Sequence, residues 1–447
     1  MDDIDAELGR PATGQHSGSE DEEQHGERIV RPNLPIKTQS NKKRCYESGF
    51  HETTRVCLRK ICDCLFQMQW QEAVEYMKSY FQTLEDTSVA KQLLASEIIW
   101  RLGTEILHHH PKTKPEDFNS FFERMKNTGV KIYLKVCLEQ SFHLLVNGHF
   151  EDAKRQLSVA ESWRFGQQSA SQTQRIKLIH AYRGFLDYFT WCAKRSALSG
   201  ADYSNEAASQ EMHSYFRQAS VNLQEILKHP GVWDPFVISY VNMLEFYNDQ
   251  DGALDVLNEY AYNNSFPPNP NAHVYLYQYL KKHQAPQKKL FKVLRTLQAL
   301  VPSHELMLEF CSLLLQSGKE KHLHEALSVI FSLLDYSSWK DNLKAWSCLG
   351  DIMKELKRKK LKHLVDEEWE TRKSWWPVFQ FRSHRVRKDF EQNEELVKVK
   401  STIAAALAGQ NCMYCRNKRV LFQEKAKAQR LKALQSQRGR RSHKRRR

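Results

Sequence analysis

The stretch PQKKLFKVLRTLQALVP (Pro286–Pro302) decides the fold class. Leu290, Val293, Leu294, Leu297, Leu300 and Val301 recur at i, i+3, i+4, i+7, i+10 and i+11, which is one stripe of a 3.6-residue helix. Pro286 is tolerated in a first turn, and Pro302 cannot continue the hydrogen-bond ladder. The segment after it predicts a second helix with Ser303 as N-cap. Leu306, Phe310, Leu313 and Leu314 share its apolar face, and Gly318 lies just past its end. Most of the chain reads the same way. Phe266-Pro267-Pro268-Asn269-Pro270 is a loop between helices. The hairpin-type dipeptide Asp251-Gly252 sits between two helical patterns. The expectation is an all-α body.

A faint internal pattern runs through that body. Ala-x3-apolar-x2-small or apolar occurs at Ala73, Met77, Tyr80, at Ala153, Leu157, Ala160, at Ala253, Leu257, Tyr260 and at Ala326, Ile330, Leu333. It is similar to the closing half of a tetratricopeptide repeat, where small residues let two helices approach. The copies stand 80, 100 and 73 residues apart instead of the 34 of that repeat, so an irregular array of helical hairpins is expected. Any core-facing helix gives the same spacing.

Charge divides the chain further. Met1 to Glu27 holds nine Asp/Glu against Arg10 alone; Arg416 to Arg447 holds fourteen Lys/Arg against Glu424 alone; the formal total is +14. Blocks of one sign cannot bury themselves and stay solvated. The predicted organisation is a disordered acidic head (1–45), a helical-repeat-like body (46–350), a basic and aromatic helical segment completing it (351–415) and a basic tail (416–447). With 41% hydrophobic residues and 49 Trp, Tyr and Phe side chains, the chain is not wholly disordered. MDDIDAEL lacks the basic-then-apolar order of a secretory leader, and Ser401 to Cys415 is too short and polar to span a bilayer. A soluble chain with reduced, scattered Cys is expected, and no membrane partner.

Candidate chemistry is sparse. Cys412-x2-Cys415 has the spacing of half a zinc knuckle, but a structural zinc takes four ligands and only His443 follows; ordinary thiols are expected. His108-His109-His110 would point in three directions from a helix and form no ligand face. No phosphate-cradling glycine loop, His-Glu-x-x-His or Gly-x-Ser-x-Gly is present. No catalytic residue, cofactor or metal is therefore expected. Trp369, Trp375, Trp376, Phe379 and Phe381 lie among Arg372, Lys373, Arg382, Arg385, Arg387 and Lys388. They would either stack on nucleic acid or pack a helix end, and packing is the simpler account. Lys354 to Lys362 is a basic helix face toward DNA or solvent.

The tail carries the candidate site. Arg416, Lys418, Arg419, Lys425, Lys427, Arg430, Lys432, Arg438, Arg440, Arg441, Lys444, Arg445, Arg446 and Arg447 form a polyanion-binding or nuclear-import cluster. Glu424 to Gln437 is rich in helix formers, whereas Arg438 to Arg447 has no apolar side chain to pack.

Six stretches carry a family resemblance: EYMKSYFQTLED (Glu75–Asp86), EIIWRLGTEIL (Glu97–Leu107), PGVWDPFVISYVNMLEFY (Pro230–Tyr247), FPPNPNAHVYLYQYLK (Phe266–Lys281), VPSHELMLEF (Val301–Phe310) and RKSWWPVFQF (Arg372–Phe381). Over about residues 50–390 the chain resembles the family of the smallest classical subunit of the RNA polymerase I promoter selectivity factor. That factor joins the TATA-binding protein to polymerase I-specific associated factors. The resemblance implies a non-enzymatic, helical, tetratricopeptide-like protein that works at ribosomal RNA gene promoters in the nucleolus. Its implied partners are the TATA-binding protein, the other associated factors, the RNA polymerase I machinery and promoter DNA. The alternative is a helical-repeat RNA-binding protein of ribosome biogenesis.

Overall fold

The computed structural model describes residues 49–85, 87, 89–163, 169–199, 206–229, 231–265 and 267–444. The acidic head expected to be disordered lies outside them. Among the described residues are twenty α-helices, one 3-10 turn (Ser337–Trp339) and no strand, so the all-α expectation holds. The chain divides into two compact units between Lys228 and His229.

The first unit contains α1 (Gly49–Phe66), α2 (Trp70–Glu85), α3 (Val89–His109), α4 (Pro115–Lys126), α5 (Val130–Val146), α6 (Phe150–Ser162), α7 (Ala170–Ser199) and α8 (Glu206–Leu227). Each packs chiefly on its neighbours in sequence, as in a helical solenoid. In the long α7–α8 hairpin, a Cβ on Gly184 would lie 2.7 Å from the Asn222 Cβ. Only glycine lets the two helices come this close.

The second unit contains α9 (Asp234–Phe246), α10 (Gln250–Tyr262), α11 (Pro270–Lys282), α12 (Gln287–Leu300), α13 (Leu306–Ser317), α14 (Glu320–Leu334), α15 (Leu343–Arg358), α16 (Lys362–Glu370), α17 (Trp376–Phe379), α18 (Ser383–Gln392), α19 (Glu394–Ala408) and α20 (Met413–Lys444). On α12 the predicted stripe is buried at Leu290, Val293, Leu294 and Leu297, joined by Phe291; Leu300 and Val301 are half-buried at its end. Each such side chain contributes about 1.5–3 kcal/mol of transfer free energy.

Two boundaries differ from the expectation. α13 begins at Leu306 and not after Ser303, because the His304 amide turns back to the Val301 carbonyl and the Leu306 amide donates to His304 Nδ1 at 3.2 Å. Glu305 stands at the N-cap without a side-chain bond, the His304 ring accepts the first helical amide, and the buried face becomes Met307, Phe310, Cys311 and Leu314. Asp251-Gly252 is no turn. It lies in the first turn of α10, where Asp249 accepts the Gly252 amide at 2.9 Å. Gly318 does end α13, in the left-handed region at φ 65°.

The faint repeat has a structural basis. Ala73, Ala153 and Ala253 are fully buried on the second helix of the hairpins α1–α2, α5–α6 and α9–α10. Each lies five residues after a left-handed residue: Met68 (φ 58°), Gly148 (φ 80°) and Asn248 (φ 60°). The next amide in each turn donates to the carbonyl five residues back: Gln69 to Cys64, His149 to Leu144 and Asp249 to Leu244, at 2.8–2.9 Å. One Schellman-type turn thus joins three hairpins. In the fourth copy the Ala is out of register. Leu323, not Ala326, stands five residues after Gly318 and donates its amide to the Lys319 carbonyl, as Ala73 does to that of Gln69.

Candidate nucleic-acid interface

Thirty-two residues, Met413–Lys444, form one helix, α20, which begins inside the body and not at a tail boundary. Tyr414 and Cys415 are buried at its root. The Tyr414 hydroxyl donates to Asp389 Oδ2 at 2.7 Å, and the Cys415 thiol donates to the Ser401 carbonyl at 3.3 Å. Farther along, Phe422 meets Phe390 edge-on at 5.3 Å. Helices α18 and α19 therefore form the seat of α20.

Of the predicted tail cluster, two members bond within this seat. Lys418 Nζ donates to Ser401 Oγ at 2.6 Å, and Lys425 pairs with Glu394. Arg419 reaches the Gln410 carbonyl at 3.4 Å. Arg416, Lys427 and Arg430 are exposed. Lys432, Arg438, Arg440, Arg441 and Lys444 continue the helix, and Arg445, Arg446 and Arg447 lie outside the described residues. At 100° per residue Arg416, Arg419, Lys427 and Arg430 fall within an arc of about 80°, on the side of the helix away from the seated Lys418 and Lys425.

Beneath the seat is a buried polar network that the sequence reading missed. Lys400 and Asp389 have no exposed surface, and Lys400 Nζ donates to Asp389 Oδ2 at 3.0 Å and to the Lys340 carbonyl at 3.2 Å. The ammonium also lies 4.9 Å from the Trp346 ring centroid. Burial lowers the Lys400 pKa to about 8 against the pull of Asp389. Burial, then the Asp389 carboxylate, holds the Tyr414 hydroxyl neutral well above its ordinary range. The available signal was position: Lys400 falls on the helical face of Leu396, Val397, Ile403 and Ala404.

The aromatic cluster is divided. Trp376 is fully buried against Phe331 (5.1 Å), Trp346 (6.0 Å) and Phe381 (6.2 Å), and its indole N–H donates to Asp335 Oδ1 at 2.7 Å. Arg372 forks onto the same Asp335 carboxylate at 2.9–3.1 Å and pairs with Glu368 at 2.5 Å. Gln380 caps α14 by donating to the Leu334 carbonyl at 2.6 Å. For these residues packing is the observed role. Lys373 pairs with Glu370, and Arg385 pairs with Asp341 and lies 3.4 Å from Asp389. Trp375, Arg382, Arg387 and Lys388 face solvent.

The remaining candidates are local. Lys354 bonds Asp351, Arg358 bonds Glu355 and Lys359 reaches the Gly318 carbonyl, so much of that basic face is paired at home. The three histidines do diverge: His108 packs on Phe118 (4.7 Å), His109 stacks on Trp70 (4.7 Å) and His110 Nε2 bonds Gln71 (3.1 Å). Burial, then the neighbouring Cys412, pushes the Cys415 thiol up to about 12, so at neutral pH it is a protonated core group and no thiolate ligand.

Over residues 63–419 the chain matches the family of the TAF RNA Polymerase I A-subunit. It is 47% identical over 370 residues to the TATA box-binding protein-associated factor RNA polymerase I A-subunit of Mus musculus, covering 82% of each chain. The protein of the same name from Homo sapiens gives the same identity and coverage. The family match ends in the second turn of α20, so it includes the seated root and excludes the charged rod beyond. With most of the body matched in this way, the chain belongs to the TAF RNA polymerase I A-subunit family.

Proposed function

We propose that the protein is a non-catalytic assembly subunit of a promoter-binding complex containing the TATA-binding protein. It would support pre-initiation complex assembly at ribosomal RNA gene promoters, in the nucleus and nucleolus. The observation that carries this reading is the 47% identity, over 82% of each chain, to proteins named as TATA box-binding protein-associated factors of RNA polymerase I. The hairpin array suits the role, since stacked helical hairpins present extended surfaces to other proteins. Partners on the body are the TATA-binding protein, the other polymerase I-specific associated factors and the polymerase I machinery. Promoter DNA is met secondarily, by the cationic rod of α20 holding phosphates without reading bases. Affinity purification of the full chain tests this. The TATA-binding protein should co-purify in stoichiometric amount. Recovery of pre-ribosomal particles without it would favour the RNA-binding alternative.

A further inference from the structure

One cavity sets exposed rings beside the cations of Lys340, Arg382 and Arg385, of which Arg385 is paired with Asp341. It has a volume of about 540 Å³ and is lined by Lys340, Ser374, Trp375, Val378, Phe379, Arg382, His384 and Arg385. No carboxylate lines it. Trp375 is 37% exposed and Val378 53%. Trp375 and Phe379 stand 5.2 Å apart at 61°, an edge-to-face pair at the cavity wall that leaves part of the indole exposed. Lys340 Nζ sits over the Phe379 ring, 3.2 Å from its centroid. Trp375 is held in place by what surrounds it: its neighbour Trp376 is fixed by burial and by Asp335, and Phe379 follows one turn later.

The cations here are in surplus. Burial, then the Arg385 guanidinium, with a further push from Arg382, holds the Lys340 ammonium below its ordinary pKa, and Asp341 only partly opposes them. An anion entering the cavity would relieve that repulsion. From His384 at the cavity wall, Arg387 and Lys388 follow at i+3 and i+4 on α18, and all three are exposed. They extend the strip along the helix while Val386 and Asp389 face the core. A ring face to stack on, cations at phosphate reach and a cationic track leading away are the elements of single-strand recognition. A duplex hides its base faces and could use only the charge.

We propose that this cavity takes an unpaired nucleotide of single-stranded nucleic acid, its base on Trp375 and its phosphate between Lys340 and Arg382. The site is distinct from the α20 rod and adds a preference for unpaired strands that a cationic rod alone does not give. It does not rest on assembly with the TATA-binding protein, so failure of that reading leaves it standing.

The test is anisotropy of a labelled oligo-dT of about fifteen nucleotides, and of a duplex of equal length, binding the full chain at fixed salt. Trp375→Ala should weaken oligo-dT about tenfold and the duplex less than about twofold, because only the single strand stacks. Trp375→Phe should restore most of the loss. Arg382→Gln should lower the oligo-dT salt slope by about 0.7, one phosphate contact on a single strand. A thermal melt of each variant guards against a folding defect, and Arg382→Gln, an exposed change, serves if Trp375→Ala does not fold. Unchanged oligo-dT affinity for both Trp375→Ala and Arg382→Gln overturns the proposal, as does equal loss on duplex and single strand. Polyglutamate binding that outcompetes oligo-dT and shows the Trp375→Ala loss would assign the cavity to an acidic protein instead.

Discussion

Trp376 combines a fully buried indole with an N–H bonded to Asp335, whose carboxylate also receives the Arg372 fork. Trp376→Ala should therefore cost about 3–5 kcal/mol, from lost transfer and the cavity left behind. Denaturant unfolding checks it: the midpoint should fall without a change in slope. Trp376→Phe should be milder, about 1–2 kcal/mol, since volume is largely kept and Asp335 retains Arg372. Asp234 is a second anchor of this kind. It accepts from Tyr260, from Asn269 at 3.1 Å, from Asn271 at 2.7 Å and from Tyr275 at 3.3 Å, tying the Pro-rich loop to the start of α9. Burial opposes its ionisation, yet these donors outweigh burial and hold its pKa below the ordinary value. Its contribution is thus present above the usual carboxylate range and is lost as pH falls through the lowered pKa. Asp234→Ala should lose about 1.5–3 kcal/mol at neutral pH and flatten that acid limb in a urea titration series. The stretches that carry the family resemblance, RKSWWPVFQF and FPPNPNAHVYLYQYLK among them, are thus in large part anchoring motifs.

Between elements, the α18–α19–α20 junction is governed by Lys400, Asp389 and Tyr414. Free Lys titrates near 10.5 and the buried Lys400 near 8, so between these values the unfolded chain holds the extra proton. Stability should rise with pH from about 8 to 10, then fall as unfolded Tyr ionises while Tyr414 stays neutral. A series of chemical unfolding curves over pH 8–11 reads this directly. Lys400→Met should abolish the rise and cost about 3–5 kcal/mol at pH 7 by leaving the buried Asp389 with only Arg385, 3.4 Å away, as its cation. The double change with Asp389→Asn should recover part of that loss. Helices as elements were legible because a 3.6-residue stripe is a local property; Leu290 to Leu297 shows it. Their joints were not. Met68 and Asn248 adopt the left-handed turn that the sequence signals openly only at Gly148 and Gly318. Hydrogen bonding to a carbonyl five residues back can hold a non-glycine residue there, and no local pattern announces it. The Lys400 network was equally hidden, since its members lie 11 and 14 residues apart and meet only after three helices pack.

For the whole molecule, net charge lies mostly at one end, but the boundary between body and tail is set by packing and not by composition. Sequence composition put it at Arg416. The structure seats Tyr414, Cys415, Lys418, Phe422 and Lys425 on α18 and α19, so a chain cut at Cys415 would lose packing together with charge. A cut after Ala426 separates the two. It keeps the seat and removes Lys427, Arg430, Lys432, Arg438, Arg440, Arg441, Lys444, Arg445, Arg446 and Arg447, lowering the formal net charge from +14 to +4. The melting temperature should then stay within about one degree, because the removed cations whose side chains are described are exposed. Duplex affinity should fall. If about half of the ten cations neutralise phosphates, the slope of log affinity against log salt should become shallower by about 4–5. Sequence discrimination should survive, since such contacts position a protein on DNA without reading it. Nuclear accumulation should fall too, because Arg438 to Arg447 is the densest import-like cluster in the chain. Duplex affinity over a salt series, for the intact and the shortened chain, decides the matter. Parallel lines would mean that the rod does not touch DNA and that its charge serves acidic protein or import alone.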